Sequence, residues 1–468
     1  MGRTLFRKIW DAHVVADLGD GFALLHVDRH VVHDLGGRAL VNVNNRGLRI
    51  RNPELTFATA DHTISTAARA SGENIENDFI RNLRENSVKH GFRFFDPHSR
   101  EHGIVHVIVP ELGIALPGMT LACGDSHSCT IGALGVVSWG VGQSEIVHIL
   151  ATQTSVQRLP KTMRIRIEGR APAWVTPKDI ILHIIGRVGA SGGVGHAVEF
   201  AGSIIGDMPM DGRFTLCNMA VELGARFGMI APDDTTLDYV AGRPGAPKGA
   251  NWTRAVERWR ALRSDDDAHF DRELLIDVAH LEPHITWGTS PEHVIPITGT
   301  VPHPASVQDP LQRAALQGAL DYARLEPGAR VEDTPVDWVF IGSCTNSRIS
   351  DLRLAATLAA GRKVAAGVTA WVVPGSNQVK EQAEAEGLDR IFMDAGFEWR
   401  NSGCSMCGGT GNAMRERVGR GQRCVSTSNR NFMGRQGPGS HTMLASPPMA
   451  VAAAVTGRVT DVRKLVGR

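Results

Sequence analysis

Apolar and polar positions change their period several times along the chain. FALLHVDRHVVHD (22–34) and TFATADHTIS (56–65) predict strands, the second running into a loop. GIVHVIVPELG (103–113) and MTLACGDSHS (119–128) also predict apolar strands, each ending in polar residues. DFIRNLRENSVKHG (78–91) has helical spacing closed by Gly91, and VGQSEIVHILATQ (141–153) has the same spacing. Near Pro160 the pattern shifts. TMRIRIEGR (162–170) alternates at period two, as a half-buried strand does. TPKDIILHIIGRVGA (176–190) predicts a helix with Thr176 as N-cap and Pro177 in its first turn, and RFTLCNMAVELGARFGMI (213–230) a second helix. Residues 243–300 are richer in Pro, Trp and charge, which predicts irregular surface structure. From about 301 a β-α-β-α pattern follows: VDWVFIGSC, ISDLRLAATLAAG, VTAWVVPGS, and one or two helices in NQVKEQAEAEGLDRIFMDAGF. Buried parallel strands with covering helices are the economical solution. The fold class expected is α/β, in three parts at 1–160, 161–300 and 301–468.

Ligands in such sheets gather beyond the carboxyl ends of strands. That directs attention to GSCTNSR (342–348), PGSN (374–377), GCSMCGG (403–409) and STSNRNFMGRQG (426–437). Composition narrows the chemistry. The net charge of +1 on 468 residues argues against nucleic-acid binding through general electrostatics. No apolar run approaches a membrane span and the N-terminus lacks a secretory core, so a soluble cytoplasmic protein is expected. Seven cysteines at irregular spacing fit metal binding or catalysis better than a disulfide framework. The sequence shows no short internal repeat.

Cys344, Cys404 and Cys407 are candidate thiolates for a soft metal or an iron–sulfur cluster, with zinc as the rival and a small-residue turn as the plain alternative. Asp125, Ser126 and His127 follow an apolar strand, as do Asp61 and His62. Two Asp–His pairs at strand ends point to proton handling. His106 alone would be an ordinary core histidine. Asn218 and Glu222 are four apart, as on one helix face. Arg430 and Arg435 offer forks suited to carboxylate or phosphate, or form an ordinary basic loop. His26, Asp28 and His30 alternate as on one strand face, and a structural or exposed role is expected for them. SGGVG (191–195) is not a P-loop, because no Lys-Ser/Thr follows.

In this order DHT (61–63), GDSHS (124–128), CNMAVE (217–222), SCTNSR (343–348), GCSMC (403–407) and SNRNFMGRQG (428–437) resemble the aconitase superfamily, over residues 5 to 460. LFRKIWDAHVV, TFATADH, DAGFEWR and CVSTSNRNF look like the branch that isomerises 2-isopropylmalate in leucine biosynthesis. The resemblance implies aconitase-type α/β/α subdomains around a cleft. It implies a [4Fe–4S] cluster on Cys344, Cys404 and Cys407, with one iron not ligated by cysteine and able to act as a Lewis acid. His62 would be the acid, with Asp61 orienting it. His106 with Asp125, and His127 with Glu222, would be supporting pairs. Ser126 and Asn218 would position substrate or water. Arg430 and Arg435 would hold carboxylates of a 2-hydroxy diacid, with Asn429 assisting. The family's swivelling domain would be a separate small subunit, an obligatory partner. Thr63, Arg38, Met433 and the GGTGN after Cys407 depart from the branch, and leave open a sister dehydratase for a methylmalate, citrate or homocitrate type of substrate. An RNA-binding regulator and a zinc protein remain as other classes.

Overall fold

The computed structural model describes residues 2–67, 77–408 and 416–467; positions 409–412 of the GGTGN stretch lie outside them. The chain divides into two compact units. The first holds Met1–Thr63, Asn74–Gly169 and Ser191–Asp277; the second holds Ile64–Glu73, Arg170–Ala190 and Val278–Arg468.

The first unit contains a five-stranded parallel sheet in the order Arg93–Phe95, Thr56–Thr59, Arg29–His33, Thr120–Cys123, Val137–Gly140. The chain builds outward on one side of Arg29–His33, then returns and builds on the other. The order therefore reverses between Arg29–His33 and Thr120–Cys123, which opens a crevice at their carboxyl ends. A four-stranded parallel sheet runs Phe227–Met229, His196–Ala201, Lys161–Glu168, Arg272–Asp277, and an antiparallel one joins Val14–Gly19, Phe22–His26 and Thr154–Arg158. The N-terminal helix Leu5–His13 buries Leu5, Phe6, Ile9 and Trp10. Phe6 packs its ring 5.1 Å from Phe227, which in turn meets Trp139 at 6.0 Å.

The second unit has its own five-stranded parallel sheet, ordered Glu398–Trp399, Thr369–Val372, Trp338–Ile341, Arg423–Ser426, His441–Leu444. Its strand order repeats that of the first unit, with the reversal between Trp338–Ile341 and Arg423–Ser426. The helices Ile349–Ala359 and Pro447–Thr456 bury their alanine-rich faces in this unit. Among the described residues no helix is long and apolar enough to cross a membrane.

Four expectations change. The stretch 22–34 is two strands in different sheets, Phe22–His26 and Arg29–His33. The break has a cause: Val27 bonds Gln153 through its backbone, while Asp28 turns to exchange hydrogen bonds with Thr120. His26, Asp28 and His30 therefore share no face. Asp28 meets His13 at 2.8 Å and His26 at 3.4 Å, whereas His30 is buried on the backbone of Ala122. GIVHVIVPELG forms the helix Val105–Glu111, not a strand; buried on nearly every side, it has no polar face to mark its period. The stretch 213–230 leaves the α-helix after Asn218, tightens into a 3-10 helix over Met219–Leu223 and ends in the strand Phe227–Met229. Residues 243–300 hold the helix Ala250–Arg260, the strand Arg272–Asp277 and a hairpin of His284–Thr286 with Val294–Pro296.

Gly132 shows how tightly the first unit holds its loops. A Cβ there would stand 1.8 Å from the carbonyl oxygen of Gly228, and the Gly132 carbonyl accepts from Ile230 N at 3.0 Å. This backbone contact seats the turn Ser126–Leu134. We expect Gly132→Ala to lower the unfolding free energy of the full chain by about 3 kcal/mol, the upper range for overpacking, measured by denaturant titration.

Candidate functional site

Three strand ends of the first unit deliver acid and base groups to its crevice. Arg29–His33 leads into Asp34, Thr56–Thr59 into Asp61 and His62, and Thr120–Cys123 into Asp125, Ser126 and His127. Asp125 lies at the centre. Its carboxylate is 3.1 Å from His62 Nε2, 3.1 Å from His106 Nε2 and 3.4 Å from His127 Nδ1, and it accepts from the backbone N–H of His127 at 2.6 Å. On the other side of the His62 ring, Nδ1 is 2.7 Å from Asp61, whose second oxygen accepts from Val105 N at 3.0 Å. His127 Nε2 meets Glu222 at 2.9 Å. Ser126 is exposed beside it, with Oγ 3.4 Å from His127 Nδ1. Asn218 is fully buried and donates to Thr130 Oγ1 at 2.8 Å. It ends a helix held in place by the buried Arg213, whose fork grips Asp233 and the carbonyls of Met208 and Ile205.

Burial opposes charge on His62, but the carboxylates of Asp61 and Asp125 outweigh it and hold the pKa well above the ordinary imidazole value. Asp125 is likewise opposed by burial, yet His106, His127 and His62 keep it well below the usual carboxylate range. Both carboxylates thus favour the protonated imidazolium of His62. Asp34 had not been singled out. It is fully buried, accepts from the Thr63 backbone at 2.5 Å and from the Thr63 hydroxyl at 2.6 Å, and lies 3.9 Å from His62 Nδ1. The neighbouring His33 ring packs 4.7 Å from the His62 ring. The oxygen of Thr63, a departure from the branch, thus serves to fix Asp34. Arg38 is exposed on the helix Gly37–Asn45.

The second unit gathers its chemistry at the matching reversal. Trp338–Ile341 leads into Ser343 and Cys344, and Arg423–Ser426 into Thr427, Ser428, Asn429 and Arg430. Thr427 Oγ1 ties the two loops by accepting from Gly342 N at 2.9 Å and donating to Gly342 O at 3.0 Å. Cys344, Cys404 and Cys407 are buried and belong to no disulfide. Asn429 donates to Cys344 Sγ at 3.4 Å and its amide oxygen is 3.7 Å from Cys407 Sγ, while Ser343 Oγ is 3.3 Å from Cys407 Sγ. Ser343 (φ 77°) and Ser405 (φ 50°) hold left-handed backbone beside Cys344 and Cys404, a strain typical of functional loops. Ser405 is anchored by Glu416 at 2.9 Å and by Thr66 at 2.9 Å, and Glu416 is paired with the buried Arg400 at 2.8 Å. Arg400 and Glu416 were missed because neither stands in a motif. Arg435 is half-buried beside Phe432 and makes no ion pair among the described residues; its Nε has no hydrogen-bond partner there. Arg430 is half-buried in the same loop.

The sequence profile described as aconitase family (aconitate hydratase) matches residues 7–457. The chain belongs to the aconitase family. The 3-isopropylmalate dehydratase large subunit 1 of Bradyrhizobium diazoefficiens is 60% identical over 466 residues, covering 99% of this chain and 97% of that protein. The holo-form crystal structure of Thermococcus kodakaraensis aconitase X aligns with a TM-score of 0.45 at 11% identity, covering 87% of this chain and 84% of that one. Membership of the aconitase family implies a [4Fe–4S] cluster, and the buried cysteine loops of the second unit have the donor chemistry for it.

The sign of the His62 shift gives a direct test. A raised pKa contributes stability that is present below the unfolded value and is lost as pH rises through the folded value. In Asp125→Asn one of the two supporting charges is gone, so the His62 pKa falls and that stability is lost at lower pH than in the wild type. Imidazole NMR of the two proteins across pH 5–10 checks it; an unchanged titration would show that Asp125 does not govern His62.

Proposed function

We propose that this chain is the large subunit of a 3-isopropylmalate dehydratase, a hydro-lyase of leucine biosynthesis. It removes water from 2-isopropylmalate and returns it at the neighbouring carbon, giving 3-isopropylmalate. The observation that carries this reading is identity of 60% to such a large subunit across 97% of its length. Cys344, Cys404 and Cys407 would hold the [4Fe–4S] cluster, which when bound would supply Lewis acidity toward the substrate hydroxyl and carboxylate.

The roles of the side chains follow from their settings. His62, kept protonated by Asp61 and Asp125, gives its proton to the departing hydroxyl. His106 shares Asp125 and fixes that carboxylate. Glu222 orients His127, and exposed Ser126 with Asn218 positions substrate or water. Arg435, with its unpaired guanidinium, and Arg430 bind the two carboxylates, with Asn429 beside the thiols. A separate small subunit, carrying the swivelling domain and the proton-abstracting group, completes the enzyme. We place the complex in the cytoplasm, where free thiols stay reduced.

Anaerobic reconstitution tests this. The chain with iron, sulfide and the small subunit should turn over 2-isopropylmalate. His62→Asn should lower kcat by about 10²–10⁴-fold, the range for losing a general acid, while the visible cluster absorption is kept. Cys404→Ser should lose that absorption. Full turnover by the chain alone would remove the partner from this account. Turnover of a methylmalate or citrate analogue in preference to 2-isopropylmalate would assign a sister reaction, the reading that Thr63 and Arg38 leave open.

A further inference from the structure

Lys178 lies in the second turn-forming position of the helix Pro177–Val188 and is 0% exposed. Its ammonium donates to the Thr427 carbonyl at 3.0 Å and to the Ser428 carbonyl. Among the described residues no carboxylate stands within ion-pair distance of it. This is a costly placement. A fully buried ammonium without a counter-charge costs several kcal/mol, and one at a helix N-terminus also faces the positive end of the helix dipole. The adjacent Asp179 offsets only a small part of it. That carboxylate is committed to Thr176 and to the backbone of His284, and burial pushes its pKa up to about 6. Burial pulls Lys178 itself down to about 7, and the groups that push it back up most are Cys407 and Cys344, followed by Asp351 and Asp179.

The two carbonyls that Lys178 grips belong to the residues directly before Asn429, whose amide touches Cys344 and Cys407. We propose that Lys178 is the buried counter-charge of the cluster and the positioning residue for its Asn429 loop. The inference rests on the reading of Cys344, Cys404 and Cys407 as cluster ligands. Three thiolates make the loaded site anionic, so the bound cofactor supplies the negative charge that the protein withholds from Lys178. The ammonium in turn favours addition of an electron to the cluster and holds the loop carbonyls.

Redox titration of the cluster-loaded full chain, followed by electron paramagnetic resonance, separates charge from packing. Lys178→Gln keeps N–H donors and removes the charge; Lys178→Arg keeps the charge. We expect the midpoint potential of Lys178→Gln to move negative and that of Lys178→Arg to stay near the wild type. Equal potentials in wild type and Lys178→Gln would overturn the proposal. If Lys178→Gln cannot hold a cluster, retention of the visible absorption decides: Lys178→Arg keeps it while Lys178→Gln and Lys178→Met lose it, and equal loss in all three overturns the assignment. Wild-type protein that takes up no cluster would instead defeat the underlying reading, so the two failures are distinct.

Discussion

A single carboxylate, Asp125, organises the acid–base chemistry of the first unit. It stands among three imidazoles in a site from which water is largely excluded. In that setting one negative charge cannot be left unpaired, and neither can a charged His62; each makes the other tolerable. Breaking such a pair by deleting one member typically costs 3–5 kcal/mol because the survivor stays buried. Glu222 and Asp61 extend the pattern outward, so each of His127 and His62 has a carboxylate on its far nitrogen. The result is a ring of imidazoles with fixed orientations, in which His62 has a carboxylate on each of its nitrogens.

Position follows from topology. Both five-stranded sheets have the same strand order, and in each the order reverses next to a first strand that enters the middle of the sheet. Loops at a reversal diverge to opposite sides, leaving room that neither fills. In the first unit that room receives acids and bases; in the second it receives thiols. The loops that carry them are fixed by short-range backbone devices. Thr427 joins the two loops of the second reversal, and Ser343 and Ser405 accept left-handed backbone beside the thiols. The same architectural solution thus serves two unlike chemistries.

Much of this was legible in the chain. Period-two strands such as Lys161–Glu168 and capped helices such as Asp78–His90 carry their own signals. Thr176 stands at the N-cap expected from TPKD, while the pairing of Asp179 with its backbone N–H and hydroxyl came from the structure. The helix Val105–Glu111 did not declare itself, since burial on all sides erases period. The shared strand order of the two sheets left no repeat in the sequence, because packing constrains topology far more than residue identity. Among site residues, Asp–His neighbours such as Asp61–His62 were visible as local runs. The His127–Glu222 pair spans 95 positions and was reached only through family resemblance. Asp34 was hidden at the end of a misread strand, and Lys178 passed as an ordinary first-turn residue of its helix.

A buried carboxylate–guanidinium pair holds the loop of Cys404 and Cys407. Glu416 binds Ser65, Thr66, Ser405 and Arg400, so one carboxylate pins both the segment after Thr63 and the turn between Cys404 and Cys407. Burial opposes its ionisation, yet Arg400 together with the hydrogen bonds from Ser65, Thr66 and Ser405 outweighs that and keeps its pKa below the usual value. Arg400 is in turn fixed by its stack on Trp371 at 3.6 Å. A site ordered in this way loses little conformational freedom when its cofactor arrives, and binding energy is not consumed in arranging the ligands. If Cys344, Cys404 and Cys407 hold the cluster as proposed, the buried ammonium of Lys178 gains its counter-charge from the anion that they would assemble.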